Sequence, residues 1–256
     1  MIDYDLELQR HNEALRGAYG IRMSDRVLDI GCGTGQTTRE AARLATAGRV
    51  LGIDRSNEMI ERARQLARAA QLDNVEYSCA DAEREPLPRA YFDLAISRFG
   101  TMFFEHPVAA FANIRRSLRP EGRLVMMVWQ RRDRNEWATA IENAFPPDEA
   151  DLGDASTGPP AFSLGDRDIA RGILDSAGFA APTFEEVHAP VFYGTDADAA
   201  FEFVSGFSTV QEKVARLDAR QREQALGRLR RMLGEHRKAD GVWLDSRAWI
   251  VSAQRG

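Results

Sequence analysis

Lysine, cysteine and histidine are scarce in this chain, and each scarcity closes off a line of chemistry. Lys213 and Lys238 are the only lysines among 34 basic residues. Both fall in strongly charged helical stretches near the C-terminal end. A Schiff-base or P-loop mechanism needs a lysine in a pocket, and neither residue offers one. Cys32 and Cys79 make no disulfide framework and fit a reducing compartment. His11, His106, His188 and His236 never join them at ligand spacing, so no metal site is expected. A basic excess is also missing. The formal net charge is −5 over 256 residues, which leaves the phosphate attraction behind most nucleic-acid binding without a source. The first thirty residues carry charges throughout, against a signal-peptide run, and no stretch approaches the ~20 apolar residues of a membrane span. The expectation is a cytoplasmic globular protein with neither nucleic acid nor membrane as a partner.

What is present is an alternation of strands and helices. Hydrophobic residues make up 44% of the chain, enough for one large core, and residues 1–256 read as a single domain. Arg26–Ile30, Arg49–Asp54, Val75–Cys79, Tyr91–Ser97 and Leu124–Trp129 read as strands. Between them lie helices over Thr37–Ala47, after an N-cap at Ser56, and from Pro107 to Leu118. Strand and helix alternating at this spacing mean an α/β fold with a parallel sheet covered by helices on both sides. Beyond Gln130 the rhythm changes. Residues 166–178 predict a helix, Thr183–Tyr193 contains a sixth strand, and Ala248–Ala253 a last one. The core is thus expected over about 21–130, 166–193 and 241–256. Residues 1–20, 131–165 and 196–238 are expected as helical cap segments over the sheet's carboxyl edge.

The informative stretch is Val27-Leu28-Asp29-Ile30-Gly31-Cys32-Gly33-Thr34-Gly35. A glycine-rich turn between the first strand and helix lets the backbone approach a ligand at the carboxyl edge of the sheet. A dinucleotide fingerprint would put its third glycine at position 36, where this chain has Gln36. Asp54 closes the second strand 19 residues after Gly35, and Asp81-Ala82 follows the third. Phe92–Gly100 and Leu118-Arg119-Pro120-Glu121-Gly122-Arg123-Leu124 complete the set, with Glu121 in place of the usual first glycine of an L-R-P-G-G turn.

In these segments, across residues 27–130, the chain resembles the class I S-adenosylmethionine-dependent methyltransferases, in particular a small-molecule branch of ubiquinone/menaquinone-biosynthesis type. The resemblance implies a Rossmann-like sheet of seven strands in the order 3-2-1-4-5-7-6, the last one antiparallel. It implies S-adenosylmethionine as cofactor, S-adenosylhomocysteine as product and a small-molecule acceptor. It assigns Asp29, Gly31, Cys32, Gly33 and Gly35 to the cofactor-binding turn, with Gly31 to Gly33 along the methionine part. Asp54 would accept from both ribose hydroxyls, as a carboxylate suits, with Arg55 and Met59 flanking ribose and adenine. Asp81 and Ala82 would hold the adenine edge and Ser97 would meet the amino-acid end.

Methyl transfer from a sulfonium is an in-line displacement that mainly needs alignment and exclusion of water. A general base is needed only if the nucleophile must lose a proton, so no catalytic residue is obligatory. His11, on an amphipathic helix, is one candidate base, weighed against an ordinary helix-surface histidine. Arg98, after strand four, is a candidate to bind an acidic substrate group or the cofactor carboxylate. His106, before Pro107, reads as part of a helix-capping turn. Tyr4, Phe99, Met102, Phe103 and Trp129 are candidate acceptor-binding residues, weighed against core packing; an aromatic wall would suit an apolar or aromatic acceptor and attract the sulfonium. Three other readings remain: a cofactor-binding protein without methyl transfer, a methyltransferase of RNA or DNA, and a dinucleotide oxidoreductase. The second is disfavoured by Ser97-Arg98-Phe99-Gly100, where amino-methylating nucleic-acid enzymes usually carry an acid/Asn-Pro-Pro-aromatic motif.

Overall fold

The structure, a computed structural model, describes residues 4–147 and 160–256. In chain order α1 (Tyr4–Glu7) and α2 (Gln9–Tyr19) precede β1 (Arg26–Ile30), α3 (Gln36–Leu44), β2 (Arg49–Asp54), α4 (Asn57–Ala69) and β3 (Val75–Cys79). Next come β4 (Phe92–Arg98), α5 (Pro107–Ser117), β5 (Leu118–Trp129), α6 (Glu136–Asn143), α7 (Arg167–Ser176) and β6 (Ala180–His188). The chain ends with β7 (Val191–Gly194), α8 (Ala197–Ser205), α9 (Ser208–Ala215), α10 (Ala219–Glu235), β8 (Arg237–Lys238), β9 (Gly241–Leu244) and β10 (Arg247–Gln254). These elements fall into two compact units.

The sheet unit comprises Ala14–Gln130, Pro159–Glu186 and Ala248–Gly256. Seven strands run in the order β3-β2-β1-β4-β5-β10-β6. The β1–β2, β1–β4, β2–β3 and β4–β5 ladders are parallel and β10 is antiparallel to β5. This is the Rossmann-like 3-2-1-4-5-7-6 arrangement. The central strands are buried on both faces, as expected of a parallel sheet between helix layers; four successive residues of β1 and six of β5 are buried. Local chemistry sets the helix starts. Ser56 caps α4 by accepting from Met59 N–H at 3.3 Å, Pro107 opens α5, and Asp166 caps α7.

Two strands differ from expectation. Strand five begins at Leu118 rather than Leu124, with the left-handed Glu121 (φ 63°) inside it and an irregular register between Phe92 and Leu94. The strand expected within Thr183–Tyr193 is two strands, β6 in the large sheet and β7 in a separate one. Pro190 lies between them, and a residue without an N–H cannot continue a ladder.

The helical unit comprises Met1–Glu13, Arg131–Gly158 and Val187–Arg247. Its sheet is short, β7-β9-β8, and takes in Gly241–Leu244, which the sequence groups with the main core. Against it pack α8 and, through α8, α10. Ala225, Leu229 and Leu233 form the buried stripe of α10, which starts at an Asp218–Gln221 capping box. No helix among the described residues is long and apolar enough to cross a membrane.

Candidate functional site

The sheet's carboxyl edge is shaped by the turn from β1 into α3. Gly31 has φ 66°, and a Cβ there would stand 2.9 Å from Gly100 Cα. The turn after β4 therefore presses directly on the turn after β1. At Gly35 (φ 76°) a Cβ would meet the Tyr77 hydroxyl at 2.5 Å. In both places a side chain is excluded by space as well as by backbone conformation. Asp54 ties the turn to β2: Oδ2 accepts from Gly33 N–H at 2.9 Å and Oδ1 from Ser56 N–H at 2.9 Å. Cys32 N–H donates to the Ile53 carbonyl at 3.0 Å.

These ties open a cleft of about 240 Å³ whose walls include Gly31, Asp54, Arg55, Asp81, Ala82, Phe103 and Phe104. Asp81 is held by accepting from Glu83 N–H at 2.9 Å and faces Arg84. Phe103 is 49% exposed, a large apolar ring at the cleft. Phe104 packs edge-on against Phe111 at 5.6 Å. Of the residues expected to bind cofactor, the structure thus gathers Gly31, Asp54, Arg55, Asp81 and Ala82 on one surface.

Others lie behind it. Asp29 is wholly buried; its Oδ2 accepts from Thr37 and Thr38 hydroxyls at 2.6 Å each, which anchors the start of α3. Burial holds its carboxyl above the usual range. Ser97 is buried and donates to the Ile30 carbonyl at 2.8 Å, joining β4 to β1. Cys32 packs among Ile60, Ala63, Ala67 and Tyr77, and burial pushes its thiol up, so it stays protonated. Met59 is half-buried in the first turn of α4, its N–H on the Ser56 hydroxyl.

The acceptor candidates separate similarly. Phe99 and Trp129 are buried and stack at 4.1 Å with 23° between their planes. Phe99 holds φ 56°, an outlier for a bulky residue and the kind of strain that clusters at functional sites. Met102 is buried, its carbonyl accepting from Ser163. The side chain of Tyr4 lies outside the described residues. Arg98 donates to Gln36 Oε1 at 2.6 Å, near the glycine turn. His11 belongs to the helical unit, where it is wholly buried against Ser246 Oγ at 3.0 Å. The Ser246 hydroxyl donates to Ala189 at 2.6 Å, so His11 Nε2 is the donor of the pair. Burial lowers its pKa to about 4, which leaves it neutral and a weak proton acceptor at pH 7. His106 stands at the N-terminus of α5 as expected. It forms a cluster with Glu83 and Glu105, but Glu83 already accepts from the N–H groups of Glu105 and His106, and Arg84 pairs with Glu105.

One residue escaped the sequence reading. Tyr19, at the end of α2, is 1% exposed, and its hydroxyl has no hydrogen-bond partner. Asp29 Oδ1 is buried without one as well. Burial, then the Asp29 charge, raises the Tyr19 pKa, so the two groups belong to one electrostatic cluster that also includes Arg98. In sequence Tyr19 is only a member of an apolar helix stripe.

Comparison with known proteins agrees with this geometry. Residues 28–126 match the family model described as a methyltransferase domain. The chain is 36% identical over 110 residues to the ubiquinone/menaquinone biosynthesis C-methyltransferase UbiE of Stutzerimonas stutzeri, covering 42% of this chain and 43% of that protein. It spans less than half the length of the first curated relatives that it matches. YcgJ of Bacillus subtilis shares the fold over 96% of this chain and 97% of its own, with TM-score 0.64 and 16% identity. Phosphoethanolamine N-methyltransferase 2 of Haemonchus contortus, solved with S-adenosylhomocysteine, does so over 95% of this chain and 52% of its own, with TM-score 0.59 and 18% identity. Residues 28–126, which hold the glycine turn and the strand-end acids, thus match a methyltransferase domain, and the sheet around them has the Rossmann-like strand order.

Proposed function

We propose that this chain transfers a methyl group from S-adenosylmethionine to an oxygen, nitrogen or carbon atom of a small molecule in the cytoplasm. The observation that carries the reading is the meeting of Gly31, Asp54, Arg55, Asp81 and Ala82 around one cleft at the carboxyl edge. The residues present fit the cofactor. Asp29 Oδ1 and the Tyr19 hydroxyl are buried polar atoms without partners, and such atoms are costly unless a ligand satisfies them. When bound, the cofactor supplies an electrophilic methyl on a sulfonium with a neutral thioether as leaving group.

The chain's part is binding, orientation and exclusion of water. Asp54 would hold the ribose hydroxyls, since each carboxylate oxygen keeps a lone pair beside the N–H it already accepts. Asp81 and Ala82 would hold the adenine edge, and Asp29 with Tyr19 and Arg98 the charged amino-acid end. Phe103 would offer its exposed ring to an apolar or aromatic acceptor. No residue is needed as a base for an acceptor whose lone pair attacks directly.

The test is titration calorimetry with S-adenosylmethionine and S-adenosylhomocysteine. Micromolar binding of both is expected, about −8 kcal/mol, and Asp54→Ala and Asp81→Ala should each weaken it by ~1–3 kcal/mol. Failure of the unmodified protein to bind either ligand, or variants that bind as tightly as it does, would overturn the assignment. Release of S-adenosylhomocysteine across phenol, amine and activated-carbon acceptors then tests transfer; binding without turnover would make the chain a cofactor-binding protein.

A further inference from the structure

The sheet has a second shaped edge. At the amino ends of β1 to β5, opposite the cleft of Asp54 and Asp81, a cavity of about 600 Å³ opens. Strands of five or six residues, rising about 3.3 Å per residue, put roughly 17–20 Å between the two edges. Arg22, Arg26, Arg49 and Arg119 line this cavity together with Tyr91.

Three acids share the walls, and two of them are engaged with the fold. Asp93 Oδ1 accepts from Arg119 at 2.9 Å and Oδ2 from the Arg26 N–H at 2.8 Å. Asp25 is buried and accepts from the Arg22 N–H at 2.9 Å. Asp73 stands exposed. Arg49 reaches only Glu76, at 3.7 Å and with both side chains exposed. The Arg26 guanidinium lies over the Tyr91 ring at 4.5 Å. Among the described residues, neither Arg26 nor Arg22 has a carboxylate within ion-pair distance of its guanidinium.

The walls therefore carry four arginines and three aspartates, and Arg22 and Arg26 keep guanidinium groups that no carboxylate of the described residues pairs, open to an anion. Guanidinium forks engage phosphate oxygens in pairs. The stack on Tyr91 already restrains Arg26, so less side-chain freedom is lost when it takes a ligand. The cavity holds more than a bare phosphate ion. We propose that the amino edge of the sheet binds a small phosphate ester, with Arg22 and Arg26 gripping the phosphoryl group and the remaining volume taking a sugar-sized organic part.

The inference is independent of the cofactor reading, and its probes carry no adenine that could enter the other cleft. The full-length protein is titrated calorimetrically at constant ionic strength with ribose 5-phosphate and, separately, with inorganic phosphate. Saturable binding of ribose 5-phosphate, tighter than that of inorganic phosphate, is expected. It should weaken at least tenfold in the R22Q/R26Q double variant, with the thermal transition and the response to S-adenosylhomocysteine unchanged. The single exposed change Arg22→Gln provides a second reading should the double variant fold poorly, with an expected weakening of at least threefold. Absence of saturable binding, equal binding of the two probes, variants that bind like the unmodified protein, or displacement of ribose 5-phosphate by S-adenosylhomocysteine would each overturn the proposal.

Discussion

Both the sheet unit and the helical unit keep buried polar atoms without partners, and what separates them is backbone strain: among the described residues every non-glycine residue with positive φ lies in the sheet unit. Around Ser246 in the helical unit several groups bond to one another, although the Tyr193 hydroxyl and Ser205 Oγ of that unit are buried without a partner. His11 donates to the Ser246 hydroxyl, which donates to Ala189, and Asn135 Oδ1 accepts from both Trp137 Nε1 and Arg247 N–H. At the carboxyl edge of the sheet unit the Asp29 Oδ1 and Tyr19 hydroxyl atoms stay without partners, Phe99 holds a strained backbone, and Gly31 is pressed onto Gly100. Strained backbone clusters at functional sites, and Phe99 and Gly31 hold positive φ in the turns that meet at the carboxyl edge. The family match over residues 28–126 lies wholly inside the sheet unit. The difference sets the carboxyl edge of the sheet unit apart, and it can be broken experimentally on either side.

The largest effect is expected where the two turns touch. Gly31→Ala forces an L residue to φ 66° and a Cβ to 2.9 Å from backbone. Left-handed strain of about 1–2 kcal/mol and overpacking of about 1–3 kcal/mol add to roughly 3 kcal/mol of lost stability. Urea denaturation reads it directly. A loss under 1 kcal/mol would mean that the Gly31–Gly100 contact yields easily and does not shape the cleft.

On the helical side the matching test is acid. His11 has a folded pKa of about 4 against 6.5 in the unfolded chain. Below pH 6.5 the unfolded state takes up a proton that the folded state refuses, so stability falls with pH until about 4. One pKa unit corresponds to 1.36 kcal/mol, so the loss approaches about 3 kcal/mol. His11→Gln, which keeps a donor for Ser246 but cannot titrate, should remove most of that slope between pH 6.5 and 4. An unchanged slope would assign the acid sensitivity to other groups.

The contrast also explains what could be read in advance. Apolar runs without alternation, as in Leu124–Trp129, declare strands buried on both faces, and the order of glycines and strand-end acids locates the cleft. Asp54, Asp81 and Ala82 are legible because strand ends put them at one edge whatever their rotamers. Asp29 and Ser97 sit at the same edge, but which way they turn depends on Thr37, Thr38 and the Ile30 carbonyl, partners that come from other elements of the fold. Tyr19 was invisible for the same reason. In the helical unit the two-residue β8 and four-residue β9 are too short to show a period, and Pro190 divides a strand that looks continuous by composition.

The smallest expected effect sharpens the meaning of strain inside the sheet unit. Phe99 and Glu121 both hold left-handed backbone, at φ 56° and 63°, yet Phe99 is buried in a stack on Trp129 and Glu121 is exposed. Glu121→Gly removes about 1–2 kcal/mol of conformational strain and adds unfolded-state freedom that costs about 0.4–1 kcal/mol. The variant should therefore gain about 0.5 kcal/mol by urea midpoint, with cofactor affinity unchanged. Phe99→Gly relieves the same strain but abandons the ring, whose loss from a packed site costs about 3–5 kcal/mol, so it should be less stable than the unmodified protein. Opposite signs at the two positions mean that packing at the carboxyl edge holds Phe99 in place, while Glu121 merely tolerates its turn. The same sign at both would show that the Phe99–Trp129 stack contributes too little to offset the strain, and the sheet unit would lose one of the features that set it apart.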